Sequence, residues 1–383
     1  MVLQMNLGLS MSDDEKKLVE RVSLLREFEL WDKLKGKRVP YSFDLEITAR
    51  CNNNCRHCYI NKPADDQAAK AAEITIEEID RWSDEAVALG SLWCLITGGE
   101  PLLRRDFADI YMMLKRKGLL ISVFTNATLV KEEHIRLWKS YPPRDLEVTI
   151  YGASPETYDR VTGVAGAHRK FQQGVNRLLE AGLNIRFKAM ALKSNFHEVE
   201  EIGRFARANS REWFRFDPQL HLRLDGDQRR NDDIRSERLL PEEIRQLEAR
   251  DEQRQQSLQD ACKKYYLPNS SYAGHDQLFY CNAGMDNFYI GADGRYQLCS
   301  SLSHPDCVYD LRQGSVTDAW ENFTPKVRAL TSSSPELENS CRKCPLLNLC
   351  MWCPAHAYLE TGHLDRPVNF FCQVTRARVS EFI

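Results

Sequence analysis

Between residues 43 and 217 the sequence predicts an α/β fold of parallel strands joined by helices, followed by a small cysteine-rich region. Three observations predict it. Six strand-patterned segments alternate with helix-patterned ones, which implies parallel strands with right-handed crossovers. The conspicuous residues Cys51, Gly98, Asn126, Tyr151 and Lys193 fall at or just beyond C-terminal strand ends, where barrel active sites assemble. Eight of the thirteen cysteines lie from Cys281 to Cys372, after the alternation ends. On pattern alone the sheet is either doubly wound or barrel-like.

The elements follow in order. Residues 13–35 carry apolar positions at Leu18, Val22, Leu25, Phe28 and Leu30, which predicts a helical arm (residues 1–40 in all) packing on the first domain. In the first strand Phe43, Leu45 and Ile47 face one way and Asp44, Glu46 and Thr48 the other. Thr75 and Glu78 make a capping box for a helix to about Leu89, with Gly90 just past its end. Strand 92–97, a helix over 106–117 stopped by Gly118, and strand 119–125 come next. Strand 146–151, a short helix opened by Ser154-Pro155, and a longer helix over 168–181 follow. Strand 184–192 precedes Asn195–Glu198, a second capping box, and a helix to about Ala208; residues 213–217 are the sixth strand. The charged stretch 223–274 reads as a helical connector with a long helix starting at Pro241, its charges a solvated face. Asp293-Gly294 predicts a hairpin turn that brings Cys281 and Cys299 together.

The first strand runs into Cys51, Cys55 and Cys58, a C-x3-C-x2-C spacing with no fourth cysteine nearby. Structural zinc takes four ligands. Three thiolates on one tight loop suit a 4Fe–4S cube with one iron left open for a small molecule. The second strand ends in Gly98-Gly99-Glu100-Pro101, where two glycines let the backbone approach a ligand closely. The later run Cys341-x2-Cys344-x5-Cys350-x2-Cys353 is too tight for a zinc ribbon, whose knuckles stand roughly twelve to twenty residues apart. Thirteen cysteines point to metal or redox chemistry in a compartment that disfavours disulfides. A net charge of −3 argues against a nucleic-acid partner. No apolar run is long enough to span a bilayer, and Met1–Ser12 lacks the basic start of a signal peptide, so a cytoplasmic chain without a membrane partner is expected.

The cysteine triad followed by Gly98–Pro101 resembles the radical SAM superfamily, and Tyr59, the aromatic after the third cysteine, fits the same pattern. The resemblance implies a partial (β/α)6 TIM-like barrel over residues 41–222. It implies that Cys51, Cys55 and Cys58 hold a 4Fe–4S cluster, that S-adenosylmethionine (SAM) chelates its open iron, and that Gly98, Gly99, Glu100 and Pro101 bind the methionine amino end. Thr125-Asn126-Ala127 stands where the family often has Thr-Asn-Gly, and Thr149-Ile150-Tyr151-Gly152 where it often has Ser-Leu-Asp-Gly. Asn126, Thr149 and Lys170 (or Arg169) are therefore further candidate SAM contacts. Residues 275–383 resemble a SPASM domain, the auxiliary-cluster extension of peptide-modifying members. The likeness lies in the C-x12-G-x4-C opening, the cysteine run, the closing cysteine, and Gly314-Ser315 through Asn322. By that resemblance Cys341, Cys344, Cys350 and Cys372 hold one auxiliary 4Fe–4S cluster and Cys281, Cys299 and Cys353 another. The fourth ligand of the latter is Cys262, His275, Cys307 or none. Cys94, inside an apolar strand, reads as a buried small hydrophobe.

The implied reaction is reductive cleavage of SAM to a 5′-deoxyadenosyl radical, with an auxiliary cluster accepting an electron or binding substrate. The implied partners are a precursor peptide or protein substrate, a separate leader-binding protein, and an electron donor of flavodoxin or ferredoxin type. The first expectation is an oxidative maturase of a ribosomally made peptide. The alternatives are a sulfatase-maturing, formylglycine-generating enzyme, or an iron–sulfur carrier or scaffold that does not cleave SAM.

Overall fold

The computed structural model describes residues 29–210, 214–268 and 276–383. Residues 1–39 and 40–383 form two units. In the first, Leu30–Leu34 is a short helix; the rest of the expected arm lies outside the described residues.

The second unit is built on one nine-stranded sheet. Its parallel strands are β1 (Ser42–Thr48), β2 (Trp93–Gly98), β3 (Leu120–Thr125), β4 (Asp145–Ile150), β5 (Ile185–Met190) and β6 (Arg215–Asp217), paired in sequence order. Each lies within two residues of its expected position, although Trp213 falls outside the described residues. Side chains from all six strands border one cavity, so the sheet curves into a partial barrel. The odd positions of β1 (Phe43, Leu45 and Ile47) are buried in the outer core, as the alternation requires.

Helices cover the outer face. α1 (Ile76–Ala88) has the Thr75/Glu78 capping box, and Gly90 takes the positive φ that closes it. α2 (Phe107–Arg116) ends before Gly118. α3 (Glu132–Ser140), which the sequence reading passed over, packs Ile135 and Trp138 inward. α4 (Pro155–Thr162) is capped by Ser154, and α5 (Ala167–Glu180) follows. α6 (Val199–Asn209) departs from the expected capping box. The Asn195 amide instead donates to Tyr151 O and Met190 O, while the Glu198 carboxylate accepts from Ala153 N, Ser154 N, Ser154 Oγ and Thr157 Oγ1. That carboxylate ties the β4 and β5 ends together.

The connector forms α7 (Gln228–Glu237), α8 (Pro241–Ala249) and α9 (Glu252–Tyr265). The expected long helix breaks at Asp251, whose side chain caps α9 by accepting from Arg254 N. Beyond it, β7 (Asn287–Ile290) and β8 (Arg295–Gln297) form the expected hairpin, with Gly294 at φ +82° in its turn. β9 (Tyr309–Asp310) adds antiparallel to β8, and β7 pairs parallel with β1. The cysteine-rich segment is thereby fused to the barrel sheet. α10 (Pro354–Thr361) and α11 (Asn369–Val379) close the chain.

Candidate active site

A cavity of about 310 Å³ opens inside the barrel at the C-terminal strand ends. The C-x3-C-x2-C loop forms one wall: Cys51, Cys55 and Cys58 all border it, and each thiol feels at least one of the others. Burial pushes the Cys51 thiol up to about 12 and raises those of Cys55 and Cys58. Thiols this desolvated ionise only against a compensating positive charge, which a bound metal centre brings. Among the described residues no three Cys, His, Asp or Glu side chains surround a single-ion site.

Two arginines, Arg223 buried and Arg230 half-buried, hold this loop, and both come from the segment read as a solvated connector. Arg223, 4% exposed, donates to Cys58 O at 3.3 Å and Asn61 Oδ1 at 3.1 Å. Arg230 donates to Cys55 O at 2.8 Å and to Asn54 Oδ1 and Asn61 Oδ1. Their positive charge also draws the Cys58 thiol back down against burial. The charges around 223–230 are therefore structural parts of the loop, not only a solvated face.

The Gly98-Gly99 turn has a different immediate reason from the one expected. A Cβ on Gly99 would stand 2.3 Å from Arg50 O, and one on Gly98, at φ +142°, 2.2 Å from Thr48 O. Gly99 N donates to Thr48 O and Glu100 N to Arg50 O. The glycines let the β2 end seat directly against the backbone entering the cysteine loop. Both still border the cavity. Glu100 is wholly buried and turned away from it; its carboxylate accepts from Thr125 Oγ1, Asn126 N and Leu102 N, joining the β2 and β3 ends. Burial raises that carboxyl to about 7. Pro101 begins the next turn, away from the cavity lining.

Tyr59, Asn126 and Thr149 border the cavity. The Asn126 amide reaches Asn52 Oδ1 at 3.1 Å and Cys51 Sγ at 3.8 Å. Ala127 adopts φ +60°, the left-handed region that glycine favours, where the resemblance has glycine. The Tyr151 hydroxyl is a hydrogen-bond partner of the Cys55 thiol, so at this strand end it serves the cysteine loop. Lys170 and Arg169 are exposed on α5 and do not border the cavity.

Much of the polar wall gives no signal in the sequence, Asn53, His57, Asp44 and Glu46 among it. Both side-chain polar atoms of Asn53 and Nδ1 of His57 are buried without a partner beside the cysteines. Asp44 and Glu46, on the inward face of β1, border the same space. Burial raises Asp44 to about 6, and raises Glu46 to about 8 with Asp293 adding to the effect. Tyr59, Asp44 and Asp293 are the titratable neighbours around Glu46. A carboxyl raised on folding holds its proton longer in the native state, so its contribution to stability falls as pH rises from about 4.5 to about 8. Glu46→Gln is expected to remove that slope, making the apo protein more stable by up to roughly 4 kcal/mol at pH 8 and unchanged at pH 4. Urea unfolding of both proteins across this range reads it.

Among the C-terminal cysteines, Cys341 feels Cys372, Cys350 and Cys344. Cys353 feels Cys299 and Cys281. Backbone N–H groups donate to Cys51 Sγ, Cys350 Sγ and Cys353 Sγ at 3.4 Å each, the last from the first turn of α10. Such contacts favour thiolates. Cys307 is buried near Cys299; Cys262 sits on α9 with Arg378 as its charged neighbour; His275 lies outside the described residues. Cys299 lies close enough to Tyr59 to raise its hydroxyl, which sets this group beside the barrel cavity.

The Radical SAM superfamily profile matches residues 45–206. This stretch is a radical SAM domain. Proteins of that superfamily bind a 4Fe–4S cluster and SAM. The radical SAM domain and its extension are similar to the AdoMet-dependent heme synthase of Methanosarcina barkeri, 25% identical over 336 residues, or 83% of this chain and 92% of that one. They are also similar to the antilisterial bacteriocin subtilosin biosynthesis protein AlbA of Bacillus subtilis, 25% identical over 44% of this chain and 37% of that one. Streptococcus suis SuiB, solved bound to its precursor peptide SuiA, shares the fold, with a TM-score of 0.63 at 14% identity over 95% of this chain and 82% of that one. No helix among the described residues is long and apolar enough to cross a membrane.

Proposed function

We propose that the chain is a SAM-cleaving oxidative enzyme acting on a ribosomally made peptide or protein. The observation that carries this is the junction of the cysteine-loop cavity with the Cys281/Cys299/Cys353 group through Tyr59. Cys51, Cys55 and Cys58 would hold a 4Fe–4S cluster, which would supply the electron for reductive cleavage of bound SAM. The chain's own share is placement. Arg223 and Arg230 fix the loop, Gly98 and Gly99 seat it on β2, and Asn126, Asn53 and His57 offer polar contacts to what binds there. The two C-terminal cysteine groups are fit to hold auxiliary clusters that take up an electron as the substrate is oxidised. Cys341, Cys344, Cys350 and Cys372 make one such group, and Cys281, Cys299 and Cys353 the other. Subtilosin biosynthesis protein AlbA and the PqqA peptide cyclases support a peptide substrate by their names.

The similarity to a heme synthase over most of the chain favours a second reading, modification of a tetrapyrrole. The wall chemistry speaks against it. A polycarboxylate would meet Asp44, Glu46 and, at the rim, Asp217, while Lys188 is held by Glu147 at 2.7 Å. The deciding experiment gives the reconstituted enzyme SAM, reductant and either short peptides encoded beside the gene or an iron porphyrin carboxylate. A peptide product lighter by about two hydrogens supports the first reading. Turnover of the porphyrin alone overturns it.

A further inference from the structure

Glu46 is a buried carboxyl with nothing to hold. It is 4% exposed, and burial and the charge of Asp293 act on its carboxyl with no hydrogen-bond donor or cation beside them among the described residues. It borders the barrel cavity and also a second cavity of about 240 Å³ between the cysteine loop and the β7–β8 turn. Asp44, two residues earlier on the same face, borders the barrel cavity. The β1–β2 register shifts between Glu46 and Thr48, an irregularity of the kind that re-aims side chains near sites. The one ammonium bordering the barrel cavity, Lys188, is a charge neighbour of Asp44, but its contacts are with Glu147 at 2.7 Å and the Phe124 ring at 3.1 Å, and it does not act on Glu46. Burial makes this carboxyl costly to ionise without a partner, and an acid held so at a cavity wall is a candidate for a functional role.

We propose that Glu46, with Asp44, forms a subsite for a cationic nitrogen, an alkylammonium or guanidinium, that the substrate presents next to its reacting carbon. This rests on the peptide reading only for the source of that nitrogen, a lysine or arginine side chain or a peptide N-terminus. An entering cation favours the ionised form of Glu46, which burial otherwise opposes, and completes the hydrogen bonding that Glu46 lacks, with Asp44 on the same strand face adding to the attraction. A neutral residue of the same shape leaves that carboxyl unsatisfied, and the difference between the two is the specificity the site provides. SAM carries an ammonium of its own, so the test separates the two sources.

The experiment uses anaerobically reconstituted holoenzyme with SAM and, as probes, N-acetyl-lysine methylamide and its neutral analogue N-acetyl-norleucine methylamide, followed by ligand-observed NMR. Wild type is expected to prefer the lysine probe by about tenfold or more. Glu46→Gln is expected to erase that preference and Asp44→Asn to reduce it, both with unchanged circular dichroism and SAM affinity. Gln replaces a side chain that has no partner, so it breaks no bond of the fold. Equal binding of the two probes by wild type overturns the proposal. A loss of SAM affinity in Glu46→Gln, with no change in probe preference, also overturns it, because the cation is then the cofactor's. The probes need no precursor peptide, so a failure to modify peptides leaves this result standing on its own.

Discussion

Cys55→Ala is expected to fold normally, to lose about four iron atoms per chain, and to make no 5′-deoxyadenosine. Cys55 is 5% exposed, sits between Cys51 and Cys58, and meets the Tyr151 hydroxyl. Alanine fits the same buried volume and removes no backbone bond, so the β1–β2 framework survives. The loop then offers two sulfurs, and two thiolates do not retain a cube. Iron and sulfide analysis beside circular dichroism reads the result. Cys94→Ala is the control: Cys94 is buried in the β2 core, away from the loop, and its loss is expected to cost stability but no iron. Full iron in Cys55→Ala would contradict the assignment of this loop.

Gly99→Ala is the second large effect. Its Cβ would stand 2.3 Å from Arg50 O and 2.7 Å from Ala49 O, both backbone atoms that no rotamer change can move. The β2 end must then withdraw from the cysteine loop. The bonds from Gly99 N to Thr48 O and from Glu100 N to Arg50 O lengthen or break, and Glu100 loses its hold on Asn126. We expect a loss of roughly 3 kcal/mol in urea unfolding, at the upper end for overpacking because the clash is with main chain. SAM affinity is expected to fall with it, since Gly98, Gly99 and Asn126 border one cavity. Gly182→Ala gives the contrast. Its Cβ meets nothing within 4 Å, so only the strain of φ +71°, about 1 kcal/mol, is expected.

What could be read from the sequence was local. The β1 alternation, the Thr75/Glu78 box and the Asp293-Gly294 turn each depend on neighbours a few residues away, and each stands in the structure. α3 was passed over because Lys131 gives no recognisable cap; Glu132-Glu133 in its first turn was the signal available. Asn195–Glu198 has the capping-box pattern, but Glu198 serves Ser154 and Thr157 some forty residues back. Pattern cannot separate a local use of a carboxylate from a distant one. Arg223 and Arg230 fail for the same reason. Their acceptors are carbonyls in a loop more than 160 residues earlier, and a charge run shows only its composition. Glu46 was placed on the polar face of β1, but that this face is a cavity wall follows from the curvature of the sheet. At position 151 the tyrosine that departs from the family pattern finds its reason in three dimensions, where its hydroxyl meets Cys55.

The most direct test of the account is 5′-deoxyadenosine formation by anaerobically reconstituted protein given SAM and a strong reductant. The nucleoside is expected together with methionine, and none from Cys55→Ala. A fully iron-loaded wild type that forms neither product would contradict it, and the chain would then be an iron–sulfur carrier or scaffold.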